Sequence, residues 1–550
     1  MAIVMGNRAA WHVAAVAVFR CGGVLVPLDA KLPPEEIDAL LRHAGPVALV
    51  TDAALGRRLL AVDGGVARGL PLLVAEAEQL GGAGGPAREV LDLEAVMDGR
   101  VADGVLAEGG EAAPAAGAEV RGPAGFRPVV RELGDDACIV YSSGSGGTPK
   151  GCVLSHGNYL RQAEVLSRLF PFGEGDRFFS FLPTNHAIDF MCGGLIPMLS
   201  GGTVVHQRTL RPELLGWTMR RYRPTHMAAV PRLLEAFEEK VRAELDALPE
   251  WKRAAIEALM EVNHRATVDA PLPRLSAQLL APLHRAFGGR LRLVVAGGAP
   301  VSESSARFFH RIGIPVAIGY GLTEAGTVLT VNDLEPFRGD TVGRAVPGTA
   351  LRILDPGPDG VGEVLASGPT VMQRYLDAPE LTAETIREGW LHTGDLGVLE
   401  ADGHLRLVGR RRNMIVTPGG KNVYPEDVER AFVGVRGVEE LVVMSAGWLW
   451  PGTPPEEDGL VLVVRPVGEF SGASGGSGAE VAGECPGLSA GVLEGLREAN
   501  RTLRGDRRCS GVLVWGRPFP LTASMKVKRE VLAEAIRAAT GRGDAWWRLR

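Results

Sequence analysis

Apolar residues in the first 78 positions fall into short runs, Val24–Pro27 and Val47–Thr51. Between them lie stretches whose apolar positions recur at helical spacing, as in PPEEIDALLRHAG, where Glu35 and Glu36 suit a first helical turn. Alternating short strands and helices are the grammar of an α/β fold. The opening MAIVMGNRAAW reads as an apolar strand running into a helix with no preceding cap or arm, which predicts a start inside a domain. From Leu80 to about Arg131 the chain turns to Gly, Ala and Glu without clear periodicity. That predicts a surface excursion, partly mobile and without chemistry.

Strand and helix alternation returns from Cys138 to about Asp355, with strands expected at Gly202–His206, Leu291–Val295 and Val316–Ile318. This segment is the expected main body. Within it, Arg232 to Ala281 is charged and periodic at helical spacing, which predicts an inserted helical pair. Gly468–Gly487 reads as a flexible loop, and no internal repeat is visible.

Composition narrows the field mainly by exclusion. A chain of 550 residues is too long for one core. Its net charge of -6, with Lys and Arg dispersed, supplies no basic field for nucleic acid. The six cysteines show neither a C-x-x-C pair nor metal-like spacing, which predicts a reducing, cytoplasmic setting. No run of about 18 apolar residues appears, so no membrane span or leader peptide is expected.

The densest candidate chemistry is YSSGSGGTPKG, Tyr141 to Gly151. Gly144, Gly146 and Gly147 let backbone N–H groups turn inward, Ser142, Ser143, Ser145 and Thr148 add hydroxyls, and Lys150 adds a point charge. This is a phosphate cradle, but not the common nucleoside-triphosphatase loop, because Pro149 precedes the lysine and Gly151 follows it. An ordinary Gly/Ser linker is the competing account. The apolar runs on both sides, Ala137–Tyr141 and Cys152–Leu154, weigh against it.

Four further motifs follow. GYGLTEAG carries Gly319, Tyr320 and Gly321 and then Thr323 and Glu324; a carboxylate at a strand's C-terminal end suits magnesium bridging phosphates, and an aromatic suits a base, but a plain helix-start turn fits equally. GWLHTGDLG precedes a hairpin with Asp402–Gly403 at its tip; Asp395 suits the hydroxyls of a ribose or, equally, a turn. GRRRNMIVTPGGKNVYPEDVE offers Arg410 for phosphate or ribose, and Gly419 and Gly420 for close backbone approach, with Arg411 and Arg412 open to a solvated role. PLTASMKVKRE presents Lys526 after a polar turn, with Lys528 and Arg529 behind it.

Together and in this order, the five motifs resemble the adenylate-forming superfamily of AMP-binding enzymes: acyl-CoA synthetases, adenylation domains and luciferases. The resemblance covers essentially the whole chain, since GGVLVPLDAKLPPEEIDALLRHAG is similar to that family's early strand and helix, and AGGAP, with Gly298 and Ala299, to its adenine-side turn. The helical insert after VPRLLEAF, the FLPTNHAIDF segment and SMKVKRE are most similar to long-chain fatty acyl-CoA synthetases. The implied fold is α/β: a large N-terminal domain (1–410) of two α/β subdomains plus a β-barrel-like subdomain, then a small mobile α+β C-terminal domain (411–550). The resemblance also implies a further strand and helix at the start, which this chain is expected to lack.

By that resemblance, a carboxylate attacks the α-phosphorus of ATP to give an acyl adenylate, which a thiol, that of coenzyme A, then takes up. Glu324 would hold Mg2+, the loop from Ser142 to Lys150 the β and γ phosphates, and Lys526 the α-phosphate and acyl oxygens. Thr323 would touch the α-phosphate, Tyr320 stack on adenine, Asp395 and Arg410 anchor ribose, and His186 sit beside the acyl carbon or serve only as a structural histidine. The small domain would turn about Arg412, where relatives carry Asp or Lys, to bring Gly419 and Gly420 toward the thiol. The substrate implied is a carboxylic, fatty acid in an apolar tunnel walled by Phe190–Leu199 and Met227–Val230, though both segments also pass for core. An acyl carrier protein as acceptor, an inactive nucleotide-binding relative and a peripheral membrane contact for lipid uptake stay open.

Overall fold

A computed structural model describes residues 1–77, 90–93, 101–102, 105–106, 127–142, 149–416, 422–453, 459–467, 487–521, 527–540 and 546–549. The chain divides into two compact units: Met1–Leu351 with Ala366–Leu391, and Arg352–Leu365 with His392–Arg550.

The first unit contains two parallel sheets. One has the order Val26–Pro27, Ala2–Val4, Leu49–Asp52, Leu72–Ala75, Val90–Asp92. Its helices begin where the side chains dictate: Pro34–Ala44 starts on a proline with Glu35 and Glu36 in the first turn, and Asp52 accepts the Leu55 amide at 2.9 Å to cap Ala53–Ala61. Within the expected surface excursion, most of which lies outside the described residues, Val90–Asp92 forms a strand. This short run pairs with Leu72–Ala75 and extends the sheet.

The other sheet has seven strands in the order Thr203–His206, Arg177–Ser180, His226–Ala229, Leu293–Ala296, Val316–Tyr320, Thr330–Val331, Arg344–Ala345. The first five pair in parallel, and Thr330–Val331 pairs antiparallel with both of its neighbours. The inserted helical pair is a trio, Pro231–Asp246, Glu250–Thr267 and Pro273–Leu279, because Pro249 and Pro273 restart helices inside the periodic stretch.

Between these sheets lies an antiparallel hairpin, Asp136–Ser142 with Lys150–Ser155, joined on its outer side by Arg374–Tyr375. Its side chains alternate as a strand's must. Ile139 and Val153 enter the core of the first sheet, whereas Cys138, Val140, Cys152 and Leu154 enter that of the second. A capping box follows, in which Ser155 Oγ accepts the Asn158 amide and Asn158 Oδ1 accepts the Ser155 amide. The Asn158 amide group then donates to Pro369 and Val371 carbonyls at 2.7 and 3.0 Å, tying the hairpin's helix to the approach of Arg374–Tyr375.

The second unit holds, from His392 onward, a hairpin of Trp390–Leu399 with Leu405–Arg410, and a four-stranded sheet in the order Val438–Ser445, Leu460–Pro466, Cys509–Val514, Trp546–Arg548. Leu460–Pro466 is buried on both faces: Leu460, Leu462 and Val464 join one core, and Val461 and Val463 the other. The larger N-terminal and smaller C-terminal α/β parts match the expected fold class. Residues 468–486 of the expected flexible loop lie outside the described residues.

Candidate active site

The hairpin register sets Ser142 directly opposite Lys150, so the chain between them leaves and re-enters the sheet at one point. Ser143, Gly144, Ser145, Gly146, Gly147 and Thr148 lie outside the described residues, but both ends of the loop are described. Ser142 Oγ donates to Glu324 Oε1 at 3.3 Å, and Tyr375 OH donates to the same oxygen at 2.9 Å. Lys150 Nζ lies 5.5 Å from the centre of the Tyr375 ring. Ser142 and Tyr375 thus meet at one carboxylate, with Lys150 beside the Tyr375 ring.

Burial, reinforced by the Glu324 charge, pushes the Tyr375 phenol far up. The same two causes raise the Cys152 thiol, whose sulfur is 3.8 Å from Ser142 Oγ. Both stay neutral at pH 7, so neither adds a second negative charge beside Glu324. Magnesium carried on phosphates needs only one or two carboxylates, and half-buried Glu324 with neutral hydroxyls at its side supplies that donor set.

The Glu324 turn is built by close backbone approach. A Cβ on Gly321 would sit 1.9 Å from the Thr327 carbonyl oxygen, which only glycine avoids. Thr323–Ala325 forms a single 3-10 turn, and the Met372 amide donates to the Glu324 carbonyl at 2.8 Å. One strand away, Gly297 packs against the Val316–Tyr320 strand so closely that a Cβ would come within 2.8 Å of the Gly319 carbonyl oxygen. Gly298 follows at φ +83° with open space where a Cβ would be, and Ala299 completes the turn. Both turns leave the C-terminal ends of neighbouring parallel strands, the general position for ligands in open α/β sheets. Tyr320 is buried between them, at 7% exposure.

His186 precedes the short helix Ala187–Phe190, its carbonyl accepting the Phe190 amide at 2.9 Å. Ile188 Cδ1 reaches to 3.4 Å of the Cβ position of Gly297, which sets the His186 segment beside the Gly297–Gly298 turn. Asp189 points inward, fully buried, accepts from Ser180 Oγ at 2.8 Å, and is pushed up to about 7 by burial. Beneath the Glu324 turn is a narrow apolar cavity of about 40 Å³, bounded by Gly319, Val328, Cys192, Ile196, Phe172 and His226 among others. Of the two expected tunnel walls, Phe190–Leu199 contributes Cys192 and Ile196, whereas Met227–Val230 contributes no lining residue.

In the second unit, Asp395 and Arg410 are paired with each other: Arg410 Nε is 2.9 Å from Asp395 Oδ1. Asp395 belongs to the strand Trp390–Leu399, not to a turn. Counting back from Leu399 opposite Leu405 would put Asp395 across from Gly409, but a register shift between Leu396 and Gly397 moves it to Arg410. Glu363 stands behind this pair's strand, accepting the Gly394 amide at 3.1 Å and pairing with Arg411 at 3.1 Å. Arg411 therefore has a partner, and the Arg412 guanidinium is held below its ordinary range by burial and then by Arg410. Gly419, Gly420 and Lys526 lie outside the described residues.

A protein-family model described as AMP-binding enzyme matches residues 1–376. The chain belongs to the AMP-binding enzyme family. It is 34% identical over 317 residues to a putative fatty-acid–CoA ligase, fadD11, of Mycobacterium tuberculosis, a match covering 54% of this chain and 54% of that protein. It thus matches about half of that relative's length. With the long-chain-fatty-acid–CoA ligase FadD15 of Mycobacterium bovis it shares 26% identity over 557 residues, covering 97% of this chain and 86% of that one. Among solved structures, o-succinylbenzoate CoA synthetase from Bacillus subtilis, in complex with its acyl-adenylate intermediate, has a similar fold: TM-score 0.67 at 22% identity, over 96% of this chain and 87% of that chain.

For this AMP-binding enzyme, motif reasoning passed over Tyr375, Glu363 and Gly297. Tyr375 sits in a two-residue strand with no surrounding motif. Glu363 reads as an ordinary strand residue of GEVLAS. Gly297 had a usable signal, the doubled glycine of AGGAP directly after an apolar strand.

Proposed function

We propose that this AMP-binding enzyme activates a long-chain fatty acid with ATP to an acyl adenylate and transfers the acyl group to coenzyme A, releasing pyrophosphate and AMP. The observation that carries the proposal is that the segment Gly319 to Val328 carries Glu324, hydrogen-bonded to Ser142 at the loop's first end, and also lines the apolar cavity with Gly319 and Val328. A molecule with a charged head and an apolar body fits that juxtaposition.

In the first step a carboxylate oxygen forms a bond to the α-phosphorus, and the bond from that phosphorus to pyrophosphate breaks. In the second, a thiolate sulfur bonds the acyl carbon and AMP leaves with the electron pair of the carbonyl–oxygen bond. Carboxylate and triphosphate repel, so catalysis consists of neutralising and aligning charge. Magnesium, when bound, would neutralise phosphate charge at Glu324. Ser142 and Tyr375 orient that carboxylate, Lys150 and the hydroxyls of 143–148 would hold the leaving pyrophosphate, and Thr323 and Lys526 the α-phosphate. Gly298, Ala299, Gly319, Tyr320 and Gly321 are proposed to border adenine, Asp395 with Arg410 to bind ribose, and His186 to face the acyl carbon. The domain division at 410/411, the pivot at Arg412 and the approach of Gly419 and Gly420 to the thiol belong to the same proposal.

Each methylene buried contributes about 0.8 kcal/mol, so cavity depth would set chain preference. The cavity of about 40 Å³ is narrow for a fatty tail, so long acids would need lining aromatics such as Phe170, Phe172 and Phe178 to move aside. The test is pyrophosphate release from ATP and magnesium with a panel of acids, with and without coenzyme A. Coenzyme-A-dependent thioester formation with C12 to C18 acids is expected. Pyrophosphate release without thioester would point instead to a carrier-protein acceptor, and no turnover with any acid would overturn the reading.

A further inference from the structure

The helix Pro212–Tyr222, outside the candidate active site, carries an unusual outer surface. Its inner face is fastened: Leu215, Thr218 and Met219 are buried, Thr218 Oγ1 donates to Gln207 Oε1 at 2.8 Å, and Arg223 Nε just past its end donates to the Gly288 carbonyl at 3.2 Å. Outside, Trp217 is 54% exposed, with Leu210, Leu214 and Tyr222 each 40% exposed or more. The Trp217 and Tyr222 rings meet edge to face, and Arg221 lies 5.6 Å from the Tyr222 ring centre.

Charge distinguishes this face from an ordinary scatter of exposed apolar residues. Residues 208–223 hold five arginines (208, 211, 220, 221, 223) against one acid, Glu213, an excess of four positive charges in a chain of net charge -6. Arg208 has a partner, with Glu76 at 3.7 Å, and Arg177 reaches the Tyr222 carbonyl from below. Among the described residues no carboxylate lies within ion-pair distance of Arg211, Arg220, Arg221 or Arg223. Arg290, exposed just beyond Gly288, adds to the same sign.

We propose that this helix docks the protein on an anionic lipid bilayer, with Trp217, Leu214 and Leu210 entering the headgroup boundary and the arginines meeting lipid phosphates. Trp, Tyr and Leu beside Arg on one exposed helix is the composition of interfacial helices, and long arginine stems let charge stay in the headgroups while apolar carbons sink. A second copy of the chain is a poor occupant, because a two-fold contact would set the two like-charged patches against each other. This inference does not depend on the acyl-activating reading.

Sedimentation of the full chain with vesicles tests it. Binding to vesicles of phosphatidylglycerol in phosphatidylcholine is expected, with at least tenfold weaker binding to phosphatidylcholine alone and release by high salt. Trp217→Ala and the pair Arg220→Glu with Arg221→Glu should each weaken binding at least tenfold while leaving circular dichroism and thermal midpoint at wild-type values. Equal binding to neutral vesicles, unchanged binding in both variants, or a concentration-dependent dimer abolished by Trp217→Ala would overturn the proposal. Should the double variant misfold, Trp217→Ala and the salt and lipid comparisons on the wild type still decide it.

Discussion

Tyr375 OH and Glu324 Oε1 are 2.9 Å apart, joined by a hydrogen bond that spans 51 residues of chain. The bond fixes the rotamer of the carboxylate proposed to meet magnesium, and it does so from a strand that pairs with the hairpin of the phosphate loop. Tyr375→Phe keeps the ring and removes only the donor. Adenylation, read as pyrophosphate release, should fall about tenfold, the size of one hydrogen bond. Glu324→Gln should fall further, by roughly two to three decades. A Tyr375→Phe variant as slow as Glu324→Gln would mean that the phenol acts directly on substrate.

Lys526 is proposed to act in the first half-reaction only. Lys526→Ala should abolish most adenylation while thioester formation from a supplied acyl adenylate largely survives. Equal loss in both half-reactions would count against separate roles for the two steps.

Gly321 tests how tightly the Glu324 turn is built. Gly321→Ala places a methyl group 1.9 Å from the Thr327 oxygen, so the turn must open. Loss of about 1 to 3 kcal/mol of stability is expected, measurable by denaturant titration, together with loss of adenylation. Gly298→Ala meets no atom but strains φ, and should cost less.

Acid should destabilise the fold in a defined window. Burial lowers His12, His206, His226 and His310 to about 4, and His12 stacks on His206 at 5.1 Å. Between about 6.5 and 4 the unfolded chain binds more protons than the folded one, so the stability contributed by these neutral rings is present above about 6.5 and lost as pH falls toward 4. Asp189, raised to about 7, works in the opposite sense, costing stability as pH rises toward 7. Thermal midpoints should therefore fall on acidification by less than four histidines alone would give, and more steeply in Asp189→Asn. A midpoint flat from pH 7 to 4 in that variant would show that the histidines are hydrated in the native state.

The apolar cavity offers a test of the proposed chain-length preference. Phe172 packs edge to face on His226, ring centres 4.9 Å apart. If the acyl tail uses this cavity, Phe172→Ala should shift the preferred acid toward longer chains, and Ile196→Trp toward shorter ones, in the same pyrophosphate assay. An unchanged profile in both would place the tail elsewhere.

What could be read from the chain alone follows a physical divide. Glu324, Ser142 and Lys150 were legible because a polar group in a glycine-rich turn after an apolar strand is a local signal. Tyr375 was not, since its role depends on pairing with a strand more than 200 residues away. The hairpin from Trp390 to Arg410 could be drawn from its Asp402–Gly403 tip, but the register shift that sets Asp395 against Arg410 leaves no trace in composition. Val90–Asp92 escaped for a related reason: three residues amid glycine and alanine carry too little pattern to mark a sheet edge.

The alternation of Ile139 and Val153 toward one core with Cys138, Val140, Cys152 and Leu154 toward the other makes the hairpin a party wall between two buildings. The hairpin's own register spaces Ser142 and Lys150, but neither sheet alone covers both of its faces. A chain with only one layer assembled would leave one face of that hairpin unsupported, so nucleotide affinity should arrive late in folding, once both cores are closed. The bound nucleotide would in turn brace both layers together, raising their unfolding temperature as one cooperative step.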